Sequence, residues 1–225
     1  MVQINCWEDP VLTTVRIWFT KTGEAAYISL LDLQRVMQRS LKRSAIPVWY
    51  TMGFNPHIYM TFACPLPLGQ ESLVESVDIK TEVENIPTEE WKEALNKVMP
   101  RGIQVTKVSK VNHKADEIAF AKYIVRFPKS AEPCLKAYNS SETAIVLKKT
   151  KRGHKEIDLK EHLKMFDYQE KDGCLETEVL LPAGEGLNLN PSLWLNFMQE
   201  NCGLNATEVS VLRVALLLKT MQDFD

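Results

Sequence analysis

The chain reads as an α+β protein, a tandem duplication of a ferredoxin-like β-α-β-β-α-β unit with antiparallel sheets. Three observations predict this. Stretches of alternating apolar residues and stretches with apolar residues three or four apart follow one another in the order strand, helix, strand, strand, helix, strand, twice over. The turn after the first strand, Phe19-Thr-Lys-Thr-Gly-Glu24, has a counterpart in Phe127-Pro-Lys-Ser-Ala-Glu132. Near the end of each half a proline opens a helix bearing a tryptophan, Pro87 with Trp91 and Pro191 with Trp194. After it, Gly102-Ile-Gln-Val-Thr-Lys-Val-Ser109 aligns with Gly203-Leu-Asn-Ala-Thr-Glu-Val-Ser210.

The elements follow in order. Val15, Ile17 and Phe19 alternate with Arg16, Trp18 and Thr20, the pattern of a half-buried strand. Ser29 precedes Leu30, Leu33, Met37 and Leu41, so a capped helix is expected to run to about Ala45 and to stop before Pro47. Val48 to Thr51 reads as a second strand, and Tyr59 to Ala63 and Val74 to Val83 as extended segments. A helix from Pro87 to Met99 and a strand from Ile103 to Val111 complete the first unit. The second unit parses as strand Lys122–Phe127, helix Ala131–Asn139, strands Thr143–Thr150 and Leu175–Leu181, helix Pro191–Glu200 and strand Thr207–Leu218. The polar stretch Asn112–Ala119 separates a first domain, 1–115, from a second, 116–225.

Composition narrows the function. The 225 residues carry 27 Lys and Arg against 29 Asp and Glu, so binding of a polyanion requires local clustering rather than bulk charge. The apolar run Val209–Leu218 is interrupted by Arg213 and is too short to cross a bilayer, and Met1 to Pro10 lacks the apolar core of a signal peptide. A cytoplasmic protein with no membrane partner is therefore expected. Five scattered cysteines, Cys6, Cys64, Cys134, Cys174 and Cys202, form no C-x-x-C pair, which argues against a disulfide framework, a zinc ribbon or an iron–sulfur site. No cofactor or metal site is expected. Walker, dinucleotide and serine-hydrolase signatures are absent from the sequence.

Local charge is uneven. Arg35, Arg39, Lys42 and Arg43 stand at i, i+4, i+7 and i+8 of the first helix, a cationic stripe opposite its apolar face. Lys148, Lys149, Lys151, Arg152 and Lys155 gather around Gly153-His154, where a hairpin tip is expected. Glu71 to Glu93 holds eight acids against Lys80 and Lys92, and Glu75 and its neighbours alternate as a solvated strand face would.

The densest motif runs from Gly53 to Ser72. Gly53, Gly69, Pro56, Pro65 and Pro67 preshape a loop that displays Phe54, Asn55, His57, Tyr59, Thr61, Phe62, Gln70 and Ser72, a mixture suited to a planar polar ligand, to a protein surface, or to packing within a rigid hairpin. The candidate anion- or RNA-binding residues are Lys21, Arg35, Arg39, Lys42, Arg43, Asn55 and His57, and the candidate recognition loop is Gly53, Phe54, Pro56, Tyr59, Gly69 and Ser72.

The ordered series Phe19-Thr-Lys-Thr-Gly23, Ser29-Leu-Leu-Asp-Leu-Gln-Arg35, Arg39, Gly53-Phe-Asn-Pro-His57 and Pro65-Leu-Pro-Leu-Gly69 with Ser72 resembles the radical-SAM-linked domain of unknown function. That family is found free-standing or fused behind a radical-SAM enzyme with a cobalamin-binding region. The family pattern has Pro-Lys after the histidine, where this chain has Ile58-Tyr59. The resemblance implies a radical-SAM/cobalamin protein as partner, and the lack of a three-cysteine cluster motif puts the iron–sulfur chemistry in that partner.

The sequence thus points to a non-catalytic accessory protein that recognises substrate, RNA rather than DNA, for a radical-SAM/cobalamin protein. Two alternatives stand beside it: a metal-independent RNA-processing enzyme of tandem ferredoxin-like architecture using His57 or a neighbouring base, and a protein-only adaptor docking through its aromatic loop.

Overall fold

The structure is a computed structural model and describes residues 12–150, 153–184 and 186–225. The expectation about Met1–Pro10, Cys6, and the Lys151 and Arg152 part of the hairpin tip lie outside the described residues. The protein is mixed α+β, with a mostly antiparallel sheet and four α-helices among the described residues.

The strands are β1 (Thr13–Lys21), β2 (Met60–Phe62), β3 (Glu71–Thr81), β4 (Ile103–Lys110), β5 (Ile118–Pro128), β6 (Ile145–Thr150), β7 (Gly153–Asp158), β8 (Gln169–Lys171), β9 (Cys174–Pro182) and β10 (Ser210–Leu218). The helices are α1 (Leu30–Arg43), α2 (Thr88–Asn96), α3 (Glu132–Ser140) and α4 (Pro191–Cys202). The main sheet has the order β4-β1-β3-β10-β5-β9-β8, with β2 also on β3. Every pair is antiparallel except β3 with β10, which run parallel over Glu71–Leu212 and Ser72–Arg213 and join the first strands to the second set.

Local rules account for the helices. Ser29 caps α1 by accepting a hydrogen bond from the Asp32 amide at 3.1 Å, and Leu33, Met37 and Leu41 bury its apolar face. The helix ends at Ser44, and Ala45 takes φ +55° before Pro47. Asn190 caps α4 by accepting from the Ser192 amide at 2.8 Å, with Pro191 in its first turn and Gly203 closing it in the left-handed conformation. One core packs Val15, Ile17 and Phe19 against α1 and α2, with Trp91 and Leu95. The other gathers Phe127, Tyr138, Phe166 and Trp194, whose ring centroids lie 4.8 to 5.9 Å apart.

Four expectations are corrected. The expected strand at Val48–Thr51 is an irregular segment with isolated hydrogen bonds only, the Trp49 amide donating to the Lys80 carbonyl at 2.8 Å and Tyr50 bridging Ile58; Pro47 and Pro56, which have no amide to donate, flank it. Residues of the expected Thr143–Thr150 strand leave the main sheet: β6 folds back onto β7, and the short β8 occupies the position beside β9. Gly203–Ser210 is not the counterpart of the β4 strand; Asn205 turns 206–208 into a 3-10 helix, and β10 starts only at Ser210. Finally, β1 is buried on both faces, since Arg16 (0% exposed) and Trp18 lie under Phe224 and Asp225.

Candidate anion-binding face and recognition loop

Burial of Leu33, Met37 and Leu41 turns Arg35, Arg39, Lys42 and Arg43 outward, and all four are exposed. Arg35 donates to Asp32 at 2.9 Å, so part of its charge is met within the helix. That pair and the Ser29 hydroxyl hold the Asp32 carboxyl below its ordinary range, the Ser29 hydrogen bond being the larger cause. Arg39 and Arg43 make no ion pair with a described residue. They flank a groove of about 300 Å³ between α1 and Val98–Pro100. Lys42 sits with its ammonium 5.9 Å from the Tyr50 ring centroid.

Tyr50 connects this face to the loop. Its bridge to Ile58 starts a tight excursion in which the Thr51 amide donates to the His57 carbonyl at 2.8 Å and the His57 amide donates to Thr51 Oγ1 at 3.2 Å. His57 Nδ1 lies 3.0 Å from Thr51 Oγ1 and 3.1 Å from the Asn55 carbonyl oxygen, which fixes the ring to the loop's own backbone. Gly53, at φ +127°, makes the turn. Met52 is 88% exposed and Phe54 fully so, beside exposed Asn55, Pro56 and His57. Tyr59 is turned inward against Trp49, and the Lys80 ammonium stacks 4.5 Å from its ring centroid.

The structure therefore brings Lys42 to the loop's base through Tyr50, and separates Lys21, Gly69 and Ser72 from it. Lys21 is 2% exposed; its ammonium donates to the Ala26 carbonyl at 3.2 Å and is not available to an outside anion. Ser72 is fully buried at the β3–β10 junction. Gly69 lies at a different surface, near Tyr27. Cys64 is buried, and its sulfur accepts from Arg213 at 3.3 Å, not from His57. Burial pushes that thiol up, away from the thiolate a nucleophile needs. Among the described residues no group of three His, Cys, Asp or Glu side chains is placed to hold a metal ion.

The sequence reading missed a buried charged network. Glu75, expected on a solvated strand face, is 2% exposed and pairs with Arg213, itself 1% exposed. Arg213 also donates to the Cys64 carbonyl at 2.6 Å and approaches Ser72 Oγ at 3.5 Å. Burial is the largest single influence and opposes the guanidinium's charge, but Glu75, Cys64 and Tyr123 together outweigh it and raise the pKa of Arg213. Lys21 completes the group: burial lowers its pKa, and the Glu75 charge raises it in part. The signal in the sequence was Arg213 itself, a single cation inside the apolar run Val209–Leu218, which requires a buried acceptor. A second pair was hidden in the same way: Arg16 binds Asp78 through two bonds of 2.7 and 2.9 Å.

A family model described as "Uncharacterized protein conserved in bacteria (DUF2344)" matches residues 14–191. The chain belongs to this family. The matched span of this DUF2344 protein contains α1, the 53–72 loop and all strands from β3 through β9. No curated protein matches the chain. Among solved structures, the "Crystal Structure of an Unknown Protein from Galdieria sulphuraria" aligns with 91% of this chain and 99% of its own at 10% identity and a TM-score of 0.28.

Proposed function

We propose that this protein is a non-catalytic accessory factor that recognises RNA on behalf of a radical-SAM/cobalamin protein. The observation that carries the RNA part is the joined surface of Arg39, Lys42 and Arg43, exposed and without carboxylate partners among the described residues, continued through Tyr50 into the loop that projects Met52 and Phe54. Cations of this kind position a phosphate backbone, and an exposed aromatic offers a face on which an unpaired base stacks. The partner is supported by the resemblance of the Ser29–Arg35, Gly53–His57 and Pro65–Gly69 motifs. The duplicated ferredoxin-like architecture is supported by strand order: β4-β1-β3 with β2 on β3, and β10-β5-β9-β8, each with two helices.

Fluorescence anisotropy with a labelled structured RNA at about 50 and 200 mM salt tests the reading, since phosphate contacts weaken steeply over that range. Binding that falls with salt, and falls at least tenfold further in Arg39→Glu/Lys42→Glu, supports it. No binding at either salt overturns the RNA assignment. Mapping the RNA ends after incubation separates the roles: intact ends fit a binder, whereas discrete cuts overturn the non-catalytic reading. Co-purification with a radical-SAM/cobalamin protein from the same genome, lost in Phe54→Ala, supports the partnership; failure to co-purify overturns it.

A further inference from the structure

The junction between the two sets of strands carries a second surface, remote in character from the cationic face. Two adjoining grooves of about 280 and 320 Å³ share Tyr27, Gly69, Thr207, Val209 and Val211. Gln70 and Ser192 line the first, with Asn196 on the exposed side of α4; Glu71 and Glu208 line the second. Among the described residues no lysine or arginine lines either groove.

Gln70 is the informative residue. It is 4% exposed, its amide nitrogen donates to Ser192 Oγ at 2.9 Å, and its oxygen Oε1 has no partner among the described residues. Turning the amide over lets the Ser192 hydroxyl donate to the oxygen but leaves the nitrogen unpartnered instead. In either orientation this side chain holds one unmet hydrogen-bonding atom beside a groove, and a buried polar group left unmet is costly. Tyr27, 76% exposed, places an aromatic ring at the same groove.

We propose that this seam groove binds an uncharged nucleoside. The base edge satisfies the Gln70 amide, its face lies against Tyr27, and its sugar hydroxyls reach the Glu71 and Glu208 end. A nucleobase edge that presents a donor beside an acceptor matches a primary amide in either orientation. The two carboxylates and the lack of cations select against a phosphate on the ligand. The site is separate from the α1 face and does not rest on the RNA reading.

Isothermal titration calorimetry of the full chain with adenosine, cytidine, uridine and AMP tests it. Saturable binding of at least one of the three nucleosides, with adenosine several-fold tighter than AMP, is expected. Gln70→Leu is expected to weaken binding about three- to tenfold, the loss of one hydrogen bond. Because Gln70 is buried, Tyr27→Ala provides an exposed second variant, with weakened binding expected at unchanged thermal stability. Arg39→Glu/Lys42→Glu is expected to leave nucleoside binding unaltered, which keeps this test distinct from the RNA test. The proposal is overturned if no nucleoside saturates, if AMP binds more tightly than adenosine, or if the folded Tyr27 variant binds as the wild type does.

Discussion

Removing Glu75 leaves two buried cations facing one another, whereas removing Arg213 leaves Glu75 with Lys21 nearby. Uncompensated buried charge is the larger penalty, so Glu75→Gln is expected to cost about 3–5 kcal/mol in urea unfolding and Arg213→Met distinctly less. The reverse order would mean that Lys21 does not share the carboxylate. Tyr123 adds an alkaline limit: burial raises its phenol from 10.0 to about 12. The folded state keeps that proton where the unfolded chain releases it, so its contribution is whole below pH 10 and declines as pH rises from 10 to about 12. Each pH unit in that window removes about 1.4 kcal/mol from this group alone. Lys21 and Lys160, both lowered by burial from 10.5, act oppositely just below that value, where the unfolded chain binds the extra protons and stability grows with pH. The buried Cys64 thiol, raised from 9.0, offsets that gain, so melting temperature should change little up to pH 10 and fall steeply beyond it. Absorbance at about 295 nm should show Tyr123 ionising only with unfolding; early titration of all tyrosines would contradict the packing around Arg213.

Gly102 and Gly53 both take positive φ, +83° and +127°, but only one is crowded. A methyl on Gly102 would meet the Thr22 carbonyl oxygen at 2.5 Å and Ala25 Cβ at 2.9 Å, while nothing stands within 4 Å of the same position on Gly53. Gly102→Ala should lower the melting temperature well beyond Gly53→Ala, which bears only the backbone strain of about 1 kcal/mol. Equal shifts would show that the approach of the 22–25 turn to the start of β4 yields freely. The same contrast explains what the sequence disclosed. Ser29 with Leu33, Met37 and Leu41, or Asn190 with Pro191 and Trp194, are local signals, and α1 and α4 were legible from them. The α1 cations were legible for the same reason: a helix that buries one face must expose the other. The strand β8 was not, because Gln169–Lys171 is exposed and polar and is defined only by its partner Cys174–Glu176. Arg16 and Lys21 looked solvent-facing because the groups that bury them, Phe224, Asp78 and Ala26 among them, are supplied by folding and not by neighbours in a strand pattern.

At the scale of the molecule, the parallel junction between β3 and β10 spans only two residue pairs, too little backbone pairing to hold the sheet together. Side chains supply the remainder. Arg213 reaches from β10 to Glu75 on β3, Gln70 reaches Ser192 on α4, and Phe224 packs edge-on to Trp18 at 5.7 Å with the Arg16 guanidinium 4.2 Å from its ring centroid. The Phe224 amide in turn donates to Leu216 on β10 at 2.9 Å, so this ring clamps the first strands to the last one. Both sets of strands should consequently unfold in one transition, with tryptophan fluorescence and far-ultraviolet circular dichroism coincident. Phe224→Ala removes a buried ring, its aromatic contact and a cation–π contact, at a cost of about 3–5 kcal/mol. It also opens Trp18 and Arg16 to water while leaving β1 paired with β3 and β4. Two outcomes then discriminate. If the clamp holds the sheet together, the variant unfolds in two steps, the first accompanied by a red shift of tryptophan emission. If the buried Arg213–Glu75 pair suffices, the transition stays single and moves to lower urea, and it separates only when Glu75→Gln is added.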